Sequence, residues 1–168
     1  MLAVPHTTNT DGLLVVLVTR SIGLAASWMV KDVWLKPPIG WVTRGVGAVG
    51  VNRRAPSGMV QQMADRFDQA ATSGESFHLL VPPEGTRSRA EHWKSGFHRI
   101  ALDAGVSVVP TYLDYRAKRA GCGEAIEMTV DAAADMDAIR AFYDSIKVSE
   151  MPRHPEKFGP IRLRDEMG

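Results

Sequence analysis

His6 and Asp11 stand five positions apart in "PHTTNTDG", residues 5–12. A carboxylate bonded to one imidazole nitrogen fixes the tautomer and leaves the other nitrogen to act as a base. A histidine at a strand end and an aspartate opening the next helix can meet in this way. The spacing alone is common, and by itself it more often marks a loop histidine beside a helix N-cap. A metal site has less behind it, because two ligands are too few and no third His or Cys stands at a ligand-like spacing. A serine nucleophile is not indicated, since the chain has no G-x-S-x-G elbow.

Two further stretches carry charge in suggestive places. "PPEGTRSR", residues 82–89, directly follows the apolar run "FHLLV". It therefore belongs at the C-terminal end of a strand, where open α/β sheets bind ligands. Gly85 permits a tight turn, and Arg87 offers a planar fork suited to phosphate. Glu84 could hold that arginine or a nearby amide. Alone, the stretch also fits a surface turn with a solvated arginine. "GVGAVGVNRR", residues 45–54, ends a short strand on Arg53 and Arg54, and one of these could reach the same anion. Lys36, just before "PPIG", could add charge there.

The elements that must position these residues alternate. "MLAV" is a strand end that Pro5 stops, because proline cannot donate a ladder hydrogen bond. "GLLVVLVTRSIG" is a helix with Asp11 near its N-cap. "SWMVKDVWLK" is a strand broken by "PPIG", "AVGVN" is a second strand, and "RRAP" is a loop. Ser57 caps an amphipathic helix with Met59, Val60, Met63, Ala64 and Phe67 on one face, closed by Gly74. "FHLLV" and "VSVVPTYLDY" are buried strands on either side of the short helix "FHRIALDAG". "RAKRAGCGEA" is a basic turn, "IEMTV" a strand, and "MDAIRAFYDSIK" a helix. From Val148 the chain is rich in proline and charge, which places it on the surface. This order predicts a single layered α/β domain over residues 1–168, with a mixed, largely parallel sheet flanked by helices. Its chemistry-bearing core spans residues 5–115, and a tail begins at about residue 149.

Composition narrows the function. A chain of 168 residues fits one domain, and its 45% hydrophobic and 23% charged content is ordinary. Net charge is +1, which argues against a broad nucleic-acid surface. The one cysteine, Cys122, sits between Gly121 and Gly123 and reads as an inert thiol. No apolar run approaches the length of a spanning helix, and the first residues lack the pattern of a signal peptide. Trp28, Trp34 and Trp41 lie close to Lys31, Lys36 and Arg44. Exposed together they would suit an interfacial face, but core or rim packing is the more ordinary fate of tryptophan.

"PHTTNTD", "GAVGVNRR", "PPEGTRSR" and "VSVVPTYLDY" resemble, in order, the four blocks of the glycerolipid acyltransferases, the family of 1-acyl-sn-glycerol-3-phosphate acyltransferase. That pattern runs H-x-x-x-x-D, G-x-x-x-x-x-R, P-E-G-T-R-S, then an apolar block containing V-P. "WKSGFHRIALDAG" looks like the helix joining the third and fourth blocks. P-E-G-T-R-S is the most specific block, and the ordered set is stronger than any one.

The resemblance implies a glycerolphosphate-acyltransferase-like fold with His6 and Asp11 as the catalytic pair. Arg53, Glu84, Gly85, Thr86 and Arg87 would bind the acceptor phosphate, helped by Lys36, and Pro110 would mark the acyl-donor block. It implies no metal and no cofactor, the co-substrate being an acyl-CoA or acyl-carrier-protein thioester. The partners would be a lysophospholipid acceptor, that thioester donor and a membrane surface, with acyl carrier protein as one possible carrier and no nucleic acid. The location would be cytoplasmic and peripheral to the membrane. His6 would deprotonate the acceptor hydroxyl, Asp11 would stabilise the imidazolium, and amides of residues 85–88 could hold the oxyanion. Two alternatives stand beside it: the same fold acting on a lyso-ornithine lipid or glycerol phosphate, and a phospholipid-binding module without turnover. The chain departs from the family in Thr10, where many relatives carry a large residue. The membrane-associating segment usual ahead of the His block is also missing, with only four residues before Pro5.

Overall fold

Strand and helix alternate as the apolar runs require. In a computed structural model of the chain the described residues are 1–31, 35–45, 47–51 and 56–164. The elements are β1 (Leu2–Ala3), α1 (Asn9–Ser21), β2 (Ala26–Lys31), α2 (Ile39–Gly45), β3 (Ala48–Val51) and α3 (Pro56–Ser73). They continue with β4 (His78–Val81), α4 (Gly96–Asp103), β5 (Val109–Asp114), β6 (Arg119–Cys122) and α5 (Ala132–Ser145). The six strands form one sheet in the order β3-β2-β4-β1-β5-β6. The first five are parallel, and β6 closes the edge antiparallel to β5. The expected α/β architecture is therefore present.

Successive residues of a strand point to opposite faces, so each central strand feeds two cores. Leu79 and Val81 of β4 join the larger one, and Leu80 between them joins the smaller. The larger core packs Met63 and Phe67 of α3, Phe97 and Ile100 of α4, and Met136, Ile139 and Tyr143 of α5. The smaller gathers Val4, Ala26 and Leu80 under Val15 and Val16 of α1. α3 begins on a proline, whose missing N–H costs nothing at that position. It ends at Gly74, whose φ of +70° lets the amide of Glu75 turn back to Ala70 O at 2.9 Å.

Three expectations are corrected, and one helix has no counterpart in the sequence reading. "PPIG" is followed by α2, a seven-residue helix whose glycines at both ends hide it from periodicity. "RAKRAGCGEA" contains β6, which β5 templates although its residues have little strand propensity. "IEMTV" contributes only a bridge between Ile126 and Val108. The segment from Val148 is not all surface: Val148, Met151, Ile161 and Leu163 are buried in the larger core among exposed neighbours. Of the tryptophans, Trp28 is half-buried against the smaller core, Trp41 is exposed, and Trp34 lies outside the described residues. Among the described residues no helix is long and apolar enough to cross a membrane.

Candidate active site

Strand register assembles the site. β1 lies between β4 and β5, parallel to both, with Ala3 opposite Val81 on one side and Pro110 on the other. The amide of Val4 continues the pairing to Val81 O at 3.1 Å. His6 follows Ala3 by three residues, and Glu84 follows Val81 by three, so the two leave adjacent strands at the same height. His6 Nδ1 lies 3.5 Å from Glu84 Oε2, with the side chains 14% and 7% exposed. Neither atom has a hydrogen-bond partner. The separation is longer than a hydrogen bond.

Asp11 does something else. Thr8 is the N-cap of α1 and Asp11 is its third residue, and the two form a reciprocal capping box. The Asp11 carboxylate accepts from the amides of Thr7 and Thr8 at 2.6 and 2.8 Å, and from the Tyr115 hydroxyl at 2.7 Å. The hydroxyls of Thr7 and Thr8 also meet it. His6 is not among its hydrogen-bond partners, so the direct His6–Asp11 bond that the resemblance implies is not formed. The carboxylate folds back over the N-cap, while His6 still belongs to the strand exit. Burial alone would raise the Asp11 pKa, but hydrogen bonds from Thr8, Tyr115 and Thr7 outweigh it and hold the group below the usual carboxylate range. Burial, then the charge and hydrogen bond of Asp11, push Tyr115 up to about 12, so its hydroxyl stays a donor. Asp11 thus ties the His6 loop to α1 and to the residue that follows β5.

The Glu84 turn is shaped by Gly85, at φ +62°, whose amide donates to Pro82 O at 3.2 Å. The Lys94 side chain lies across it. A Cβ at position 85 would meet Lys94 Cδ and Cε at 2.9 Å and Nζ at 3.3 Å. The Lys94 amide donates to Pro83 O at 2.9 Å, folding the loop back on itself. Thr86 and Arg87 are exposed on the turn, and the Thr86 hydroxyl accepts from the Ser88 amide at 3.3 Å. Glu84 faces His6 and not Arg87. Lys36 is exposed ahead of α2 and takes no part in the His6–Glu84 contact. Arg53 lies outside the described residues. Pro110 is fully buried in β5.

Rigid supports stand behind the site. Tyr143 of α5 donates to Ala3 O at 3.0 Å, and Thr111 Oγ1 reaches the same carbonyl at 2.8 Å. Trp93 anchors the loop after Glu84: it is buried against Phe97 and Tyr143, and its amide donates to Arg162 O at 2.7 Å. Sequence reasoning gave no role to Tyr115 or Lys94, although both lie in quoted stretches, "VSVVPTYLDY" and "WKSGFHRIALDAG". Their contacts depend on strand order and loop folding, which spacing does not encode.

A family model described as Acyltransferase matches residues 1–114, from β1 through the His6 loop and the Glu84 turn to the end of β5. The chain belongs to the acyltransferase family. No curated protein and no solved structure matches it. The matched acyltransferase region contains both His6 and Glu84. Tyr115 and α5, which brace the site, lie just beyond it.

Proposed function

We propose that this acyltransferase domain moves a fatty acyl group from a thioester to the hydroxyl of a lysophospholipid, such as 1-acyl-glycerol-3-phosphate, in phospholipid synthesis. The observation that carries this reading is a largely buried imidazole, His6, 3.5 Å from a buried carboxylate, Glu84, at the C-terminal edge of the sheet. His6 takes the acceptor's hydroxyl proton, and the oxygen attacks the thioester carbonyl carbon. The C–S bond then breaks, and the proton passes to the departing thiolate, giving an ester and a free thiol. Glu84 orients the ring through Nδ1. Asp11 acts at one remove, fixing the His6 loop through Thr7, Thr8 and Tyr115.

The acceptor phosphate is assigned to Arg87 and Lys94 on the Glu84 turn, with Arg53 and Lys36 as further cations. Such positioning contributes much of the rate in transfers of this kind. Amides of Thr86 and Arg87, which have no protein partner among the described residues, suit the oxyanion.

Transfer of labelled acyl groups from acyl-CoA to lysophosphatidic acid tests the reading. His6→Ala is expected to lower the rate by roughly 10²- to 10⁴-fold, the usual worth of a positioned base. Equal, negligible transfer by both proteins with phospholipid binding intact would instead identify a binding module. Transfer only to a lyso-ornithine lipid or to glycerol phosphate would replace the acceptor and keep the chemistry.

A further inference from the structure

His6 and Glu84 face each other across 3.5 Å with no hydrogen bond between them. The pair itself therefore does not hold its two loops at this separation. The strand pairing that sets their height reaches Val4 and Val81. Beyond it, both loops are tied to one stretch of chain, residues 148–163, which lies outside the region that the family model matches. Val148, Met151, Ile161 and Leu163 root this stretch in the larger core.

On the Glu84 side the stretch runs alongside the loop that follows the turn. Arg89 Nη1 donates to Phe158 O at 2.7 Å, Arg162 Nε donates to Glu91 O at 3.1 Å, and the Trp93 amide donates to Arg162 O at 2.7 Å. Leu163 and Trp93 form a parallel bridge. Between these bonds the two backbones touch: a Cβ on Gly159 would collide with Ala90 O, so glycine is what fits there. On the His6 side the Tyr115 amide donates to Met151 O at 3.0 Å. The Tyr115 hydroxyl donates to Asp11, whose carboxylate holds the amides of Thr7 and Thr8. Val148, Pro152 and Phe158 line a small cavity together with Pro5, Asp11 and Tyr115. We propose that residues 148–163 act as a clamp that sets the His6–Glu84 geometry, with Tyr115 as the positioning residue on the His6 side and Gly159 as the contact on the Glu84 side. The proposal rests on the catalytic reading of that pair. A misplacement of about 1 Å caused far from the chemistry can cost about a hundredfold in rate.

The test compares Tyr115→Phe and Gly159→Ala with the wild type, in the whole chain. Two readouts are taken: steady-state transfer from acyl-CoA to lysophosphatidic acid, and the NMR signals of the His6 ring. Tyr115→Phe keeps the aromatic ring and removes one hydroxyl. Gly159→Ala adds one methyl group and touches neither His6 nor Glu84. In each, kcat per folded molecule is expected to fall about tenfold or more, with KM within about twofold and the His6 signals shifted. A brace that only stabilised the fold would lower the folded fraction and leave kcat per folded molecule and the His6 signals unchanged. That result in both variants would overturn the proposal, and so would a rise in KM at constant kcat. If Gly159→Ala fails to fold, Tyr115→Phe decides. A folded wild type that transfers nothing would refute the lysophospholipid reading. Shifted His6 signals in the variants would then uphold the clamp, and unmoved signals would overturn it.

Discussion

The two faces of the sheet are built to different depths. On one, α3, α4 and α5 enclose a cluster of twenty buried residues that includes Trp93, Phe97 and Tyr143. On the other, five buried residues among those described, Val15 and Val16 included, fill the space beneath α1. The deep face holds the strands that carry His6 and Glu84 from behind, through Tyr143 and Trp93. Among the described residues the shallow face is covered by α1 and the seven-residue α2, and the outer side of α1 is apolar. Stability is thus concentrated on one side of the sheet.

Substitutions should separate the two. The largest effect is expected from Trp93→Ala on the deep face, at about 3–5 kcal/mol of folding stability, because it removes a fully buried aromatic ring and its two edge-to-face neighbours. Chemical denaturation measures this, and a loss under about 1 kcal/mol would mean that the loop after Glu84 is held by other contacts.

Asp11→Asn on the site loop should cost about 2 kcal/mol, since it weakens charge-assisted bonds to Thr7, Thr8 and Tyr115. The folded Asp11 pKa lies below its ordinary value, so its contribution is present above about pH 4 and is lost as pH falls through the folded pKa. Acid denaturation of Asp11→Asn should accordingly be less steep than that of the wild type. Identical acid profiles would deny the loop its electrostatic anchor. The smallest effect belongs to Leu17→Ser on the outer side of α1, within about 0.5 kcal/mol. A loss as large as that of Trp93→Ala would show that the shallow face is not bare.

The alternation of apolar runs with glycine stops made the layered α/β fold legible, because helix and strand periods differ and each buried strand stands out as a run. The loops that hold His6 and Glu84 were legible as ordered blocks ending strands. Which carboxylate meets His6 was not. Asp11 is five residues away along the chain, whereas Glu84 is adjacent only because β1 inserts between β4 and β5, and strand order leaves no trace in local spacing. Tyr115 lies 104 positions from Asp11 and meets it for the same reason. β6 and α2 escaped notice because short elements rich in glycine and charge borrow their stability from neighbours. The burial of Met151, Ile161 and Leu163 was masked by the prolines and charges between them.

The central claim is that register, not helix spacing, supplies the partner of His6, and steady-state kinetics of Glu84→Gln test it most directly. Glutamine keeps the shape and removes the charge. If Glu84 orients the base, kcat for acyl transfer falls about tenfold or more while KM for lysophosphatidic acid stays within about twofold. If KM rises and kcat holds, Glu84 serves the acceptor phosphate site, and the pairing with His6 drawn from the sheet is wrong.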